Sequence, residues 1–270
     1  MHSPYTTDVL AHFVGRASPN DHNENFRKLA LVLESGQVSY APHTKEADKV
    51  SHVIDPSKRL DTEELIVPTV TCFADIPDSS LGVHVSKYGR FGVGFRRDFV
   101  IRAGARPVTY VPMFSDEWQY ALNGRGLLQD MRAIYLGFRN HYEARIPPDG
   151  MPVARTLGRQ PSNEDEALRA VRSLLEKDFL AFVKPFNSEL AASDPDNFYM
   201  EREWRKYAYL HFELSDVARV WAAPGYGQLI TSRFPELADR VFELGRNGLT
   251  IISRLRRLHW ILVAKMLAAS

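Results

Sequence analysis

The sequence predicts an α+β fold, one domain with a central mixed or antiparallel sheet flanked by helices. Three observations predict it. Strand-like runs lie on both sides of a helical middle: 66–73, 91–101 and 107–111 before it, and 205–221 after it. Helical spacing of apolar residues is confined to a few segments, chiefly 23–35 and 162–183. At 270 residues, with 44% hydrophobic and 25% charged side chains, the chain has the composition of a globular protein with a sizeable core.

Taken in order, residues 8–14 form a short apolar run with His12 embedded in it. From Asn23 a helix places Phe26, Leu29, Ala30 and Leu33 on one face, and Gly36 stops it. Residues 42–64 are polar and read as an exposed excursion. Ile66-Val-Pro-Thr-Val-Thr-Cys-Phe73 reads as a buried strand, and Phe91-Gly-Val-Gly-Phe95 as a strand whose glycines bring backbone close to other backbone or to a ligand. Between them a loop carries Asp75, His84, Tyr88 and Arg90. Leu127–Tyr142 has helical spacing, and the Pro- and Gly-rich stretch 146–161 reads as a linker. Ser162-Asn-Glu-Asp-Glu166 starts a helix that runs to about Val183. The alternating run 198–212 and the stretch Val217–Trp221 are strands, and Phe234–Leu244 a helix ended by Gly245. The domain is expected to span 1–248, with 249–270 a C-terminal amphipathic helical tail.

Net charge is +1, from 34 basic and 33 acidic residues, so no global basic field favours nucleic acid. The single cysteine, Cys72, excludes an internal disulfide and fits a reducing cytoplasm. The opening residues MHSPYTTDVLAHF lack a basic segment followed by an apolar core, so no signal peptide is expected. The last apolar run is too short, and too charged at Lys265, to span a bilayer, so no membrane partner is expected. The histidines have no metal-ligand spacing, and no metal is expected.

Three places carry candidate chemistry: His12, the His84/Tyr88 segment, and Glu201-Arg-Glu203-Trp-Arg205. On a strand, Glu201 and Glu203 would share one face with Arg202 and Trp204 opposite. Two carboxylates on one face repel, and are tolerated mainly where something cationic or hydrogen-bonding is held between them. The alternative is an ordinary face paired to Arg205 or Lys206.

The order of His12–Arg16 (HFVGR), Cys72–Pro77 (CFADIP), Leu81–Phe95 (LGVHVSKYGRFGVGF), Gly104–Val111 (GARPVTYV) and Glu201–Tyr207 (EREWRKY) resembles the AbiGi-type abortive-infection family of bacterial phage-defence proteins. The family carries an antitoxin label, while the layout resembles that of an ADP-ribosyltransferase. That layout implies an ADP-ribosyltransferase-like sheet and NAD as the cosubstrate. It implies catalytic roles for Glu203 and Glu201, and cofactor contacts from His12, Phe73, His84 and Tyr88. A carboxylate beside the ribose would stabilise an oxocarbenium-like centre, and an aromatic ring would stack on nicotinamide. The Ser-Thr-Ser signature of that superfamily is absent from the second strand. Two readings follow. One is an NAD-dependent transferase that modifies a protein or nucleic acid in phage defence. The other is a non-catalytic antitoxin or regulatory module that binds a partner toxin.

Overall fold

The structure, a computed structural model, describes residues 7–39, 52–114, 124–142, 160–191, 193–194, 196–245 and 250–252. In chain order the first elements are β1 (Val9–Phe13), α1 (His22–Ser35), β2 (Gln37–Val38), β3 (His52–Ile54), β4 (Ile66–Pro68) and β5 (Val70–Ala74). Then come α2 (Leu81–Tyr88), β6 (Gly92–Arg96), α3 (Arg97–Arg102), β7 (Arg106–Pro107), β8 (Thr109–Met113) and α4 (Gly124–Tyr142). The last are α5 (Glu164–Ser173), β9 (Val183–Asn187), β10 (Glu203–Tyr207), β11 (Leu210–His211), β12 (Val217–Ala222), α6 (Gly227–Arg233), β13 (Val241–Leu244) and β14 (Thr250–Ile252). The chain divides into two compact units, one of 1–49, 70–106 and 191–270, the other of 50–69 and 107–190.

The first unit is built on the expected sheet, in the order β14-β13-β12-β6-β1-β5-β10-β7. Pairing is antiparallel for β1 with β5 and β6, β5 with β10, β6 with β12, and β13 with β14, and parallel for β12 with β13. The described protein is therefore α+β with a mostly antiparallel sheet. Strand alternation sends neighbouring side chains to two separate cores. Leu10, Phe73, Val93, Phe95 and Val220 pack with Leu29 and Leu33 of α1. Ala11, Phe13, Ala74 and Trp221 pack with Leu81 and Val85 of α2 on the other face. The glycine spacing of β6 has its cause here. A Cβ on Gly94 would lie 2.6 Å from the Val9 side chain and 2.7 Å from the Trp221 ring. The close neighbours of that strand are the chain's own backbone and side chains, the Trp221 and Phe13 rings among them.

In the second unit, β3 and β4 form an antiparallel hairpin and β8 and β9 pair in parallel. Its core joins Leu60, Leu65, Ile66, Val111, Leu128, Tyr135, Leu180 and Val183.

Several expectations change. The run 66–73 is two strands, because Pro68 has no N–H with which to continue a ladder; β4 stays in the hairpin and β5 enters the sheet. The 91–101 strand ends at Arg96, where α3 begins with Asp98 and Arg102 paired at i and i+4. The 107–111 run divides: its first residue belongs to β7, at the edge of the central sheet, and 109–111 to β8, which pairs with β9 in a two-stranded sheet. The 205–221 stretch divides into β10, β11 and β12, with β11 paired to β2. The expected loop around His84 and Tyr88 is the helix α2, with Leu81 and Val85 inward and Gly89 (φ 76°) ending it. The helix expected over 162–183 is α-helical only to Ser173, then makes a π turn at 174–179 and a 3₁₀ turn at 180–182 before β9. The helix expected at 234–244 is a short 3₁₀ turn followed by β13. Helices α1 and α4 lie where the periodicity puts them. In the expected helical tail, Thr250–Ile252 is a strand. The rest of that tail, and the 248/249 boundary, fall outside the described residues.

Candidate functional site

The segment that connects Asn197 to β10 decides the geometry. Phe198–Glu201 is a 3₁₀ turn, and Arg202 follows with φ 46° and ψ 54°. This left-handed conformation costs a non-glycine residue energy and persists where its surroundings hold it. Here the Arg202 guanidinium donates to Asp75 Oδ2 at 3.1 Å. Asp75 is buried and also accepts from Arg97 (2.9 Å) and from the backbone N–H of Thr7 (3.0 Å). The strand begins only at Glu203, so Glu201 and Glu203 do not share a strand face as expected. The turn at Arg202 sends them to different partners.

Glu201 meets α2. Its Oε1 accepts from the Tyr88 hydroxyl at 2.8 Å and from Lys87 Nζ at 2.9 Å. The Lys87 ammonium also sits 3.8 Å from the centroid of the Phe198 ring and 5.3 Å from that of Tyr88. Burial raises the Tyr88 phenol well above its ordinary range, and the negative charge of Glu201 adds to the shift. His84 lies 4.4 Å from the Tyr88 ring, tilted to it by 30°. Burial, with lesser contributions from the positive charges of Lys87 and His12, holds His84 down to about 3, so its imidazole is neutral near pH 7.

Glu203 stays with its own strand. It lies opposite Ala74, and Arg205 lies opposite Cys72, so both face α2. The two side chains are 6% and 9% exposed, and Arg205 Nε donates to Glu203 Oε1 at 2.6 Å. His12 and Phe73 occupy the other face of the sheet. The His12 ring meets Phe73 edge-on at 6.1 Å, and its Nδ1 is 2.8 Å from the Cys72 carbonyl. Burial lowers the His12 pKa, with the carbonyl contact partly offsetting it. The six candidates from the sequence thus divide. Tyr88, His84 and Glu201 come together, Glu203 lies on the same face but is paired to Arg205, and His12 and Phe73 are across the sheet. Lys87 and Arg97 were missed. The signal for Lys87 was its place beside Tyr88, in a segment read as a loop rather than as the last turn of a helix.

Among the described residues, no group of three or more His, Cys, Asp or Glu is arranged to hold a metal ion. No described helix is long and apolar enough to cross a membrane. A family model described as "putative abortive phage resistance protein AbiGi, antitoxin" matches residues 44–220. The chain belongs to the AbiGi family. That match takes in Asp75, α2, the strained turn at Arg202 and the Glu203–Arg205 pair of this AbiGi-family chain. No curated protein and no solved structure gives a significant match.

A further buried carboxylate belongs to the other unit. Glu176, in the π turn, accepts from His52 (2.9 Å), the Tyr135 hydroxyl (2.7 Å) and Arg172 (2.9 Å). Burial alone would raise its pKa, but these three bonds outweigh it and leave the pKa below its ordinary value. The cluster ties β3, α4 and the end of α5 to one anion.

Proposed function

We propose that this chain is a non-catalytic antitoxin that neutralises a partner toxin protein by binding it. The observation that carries the reading is the Glu203–Arg205 pair. A carboxylate that stabilises a cationic ribosyl centre must present its charge to that centre. Here the charge of Glu203 is met inside the fold, at 2.6 Å, by a guanidinium two residues along the same strand. The neighbouring anions follow the same pattern, Glu201 with Lys87 and Asp75 with Arg97 and Arg202. Three carboxylates satisfied from within favour a scaffold that presents a surface over a catalyst that attacks a substrate. The antitoxin description of the family points the same way. The test is neutralisation in cells that co-express the toxin. The Glu203→Gln chain keeps side-chain size and hydrogen bonding, and should relieve growth arrest as the parent does. A Glu203→Gln chain that remains folded yet loses neutralisation would overturn the reading.

One observation favours a second reading, NAD-dependent ADP-ribosyl transfer to a protein or nucleic-acid acceptor. Tyr88 and Glu201, 113 residues apart in sequence, meet through a hydrogen bond. They thus place an aromatic ring and a carboxylate at one point. Incubation of the purified chain with labelled NAD and host lysate tests this reading. Label transferred by the parent and not by Glu201→Gln would support it, and absence of transfer would remove it.

A further inference from the structure

The contacts of Lys87 describe a receptor as much as an ion pair. An ammonium group held by one carboxylate oxygen and set 3.8 Å from an aromatic centroid, with a second ring at 5.3 Å, is the arrangement by which proteins bind alkylammonium and guanidinium ligands. In this chain the ligand is its own lysine. Lys87 and Glu201 keep 17% and 13% of their side chains exposed, and the turn beside them is open to solvent. Tyr199 and Met200, on the same turn as Phe198 and Glu201, are half exposed. The segment Asp194–Glu201, which leads into and forms the turn, carries Asp194, Asp196 and Glu201 and no lysine or arginine. Directly after the turn, Arg202 takes its left-handed conformation and donates to Asp75.

We propose that Glu201, Phe198 and Tyr88 form a binding site for a basic side chain of the partner protein, and that Lys87 fills this site until the partner arrives. The partner's lysine or arginine takes the carboxylate and the aromatic faces, Lys87 swings out to solvent, and Tyr199 and Met200 cover the apolar stem of the incoming side chain. The internal lysine has a thermodynamic consequence. A site that is open only a fraction of the time binds with an affinity reduced by that fraction. Lys87 therefore weakens the partner's binding, and its removal should strengthen it, the reverse of what loss of an ordinary contact does.

This inference rests on the toxin-binding reading for its biology, but the site can be tested without a toxin. The first arm titrates n-butylammonium into the purified full-length chain and follows thermal stability and isothermal heats. The parent should bind it about tenfold more weakly than the opened site does. Lys87→Ala, which opens the site, should bind the amine and be stabilised by it. Lys87→Met, which fills the space with an apolar stem, should not bind. Glu201→Gln placed in the Lys87→Ala background should lower amine affinity at least tenfold. The second arm measures affinity for the toxin whose growth arrest the parent relieves. Lys87→Ala should tighten it about tenfold if the lysine fills the site about nine-tenths of the time, and Glu201→Gln should weaken it. A folded Lys87→Ala chain that binds no amine, or that binds the toxin more weakly than the parent, overturns the proposal. Amine binding by Lys87→Ala in a chain whose parent neutralises no toxin would leave the site standing and bring down the antitoxin reading instead.

Discussion

Replacing Arg205 by Met should destabilise the protein far more than removal of a surface charge does. The pair it breaks is almost wholly buried, with side chains 6% and 9% exposed and 2.6 Å between Nε and Oε1. At an effective dielectric of about 20, two unit charges at that separation attract by roughly 6 kcal/mol, most of which desolvation of the two ions offsets. Methionine keeps the length of the arginine stem but leaves the Glu203 carboxylate buried without this partner. Loss of one member of a buried pair costs about 3–5 kcal/mol. At about 2–4 °C per kcal/mol, the scale for chains somewhat shorter than this one, the melting temperature should fall by roughly 6–20 °C. A companion variant separates the charge from the packing. Glu203→Leu combined with Arg205→Met replaces both ions by apolar groups, and should recover most of the loss. Urea unfolding followed by circular dichroism gives all three free energies. A cost below about 1 kcal/mol for Arg205→Met would match an exposed pair, and would mean that Glu203 does not depend on Arg205. A double variant as unstable as the single one would refute the electrostatic origin of the effect.

Two further outcomes follow from the same structure. His84 is neutral in the folded chain down to about pH 3 but takes a proton near pH 6.5 when unfolded. Its contribution is therefore complete above pH 6.5 and is lost as pH falls towards 3, with a slope of up to about 1.4 kcal/mol per pH unit. His84→Phe keeps a ring against Phe13 and Tyr88 and should flatten that part of the acid-stability curve, while an unchanged curve would place His84 in water. Glu176→Ala should cost about 3–5 kcal/mol, because it removes the buried anion that His52, the Tyr135 hydroxyl and Arg172 share. Limited proteolysis should then cut within 50–69 or 107–190 first, and a protease pattern equal to that of the parent would contradict it.

How far the sequence could be read depended on the range of the interaction concerned. Helix α1 was legible because its signals are local: Phe26, Leu29, Ala30 and Leu33 recur at helical spacing and Gly36 closes it. The sheet was legible as a class, since β-branched and aromatic runs flank the helical middle. Its strand boundaries were less so, because Pro68 and the Asp98–Arg102 pair end strands by chemistry that an apolar run conceals. Helix α2 was missed because its polar residues suggested a loop, although Leu81 and Val85 already had helical spacing. Alternation puts Glu201 and Glu203 on one strand face, but the strand begins only after the positive φ of Arg202, so Glu201 reaches α2 from a 3₁₀ turn and Glu203 from β10. That angle is held by Asp75, 127 residues away, through a contact that no local pattern records. The pairing of Glu203 with Arg205 was among the readings the sequence allowed, but its burial depends on β10 pairing with β5 in the tertiary fold.

The most direct measure of the central claim, that this chain acts by occupying its partner and not by modifying it, is a titration of purified toxin against purified chain without NAD. Toxin activity should fall linearly with added chain and reach its floor at a fixed molar ratio, with a complex of the same ratio recovered by size exclusion. Neutralisation by far less than one equivalent, or neutralisation that appears only when NAD is added, would contradict it.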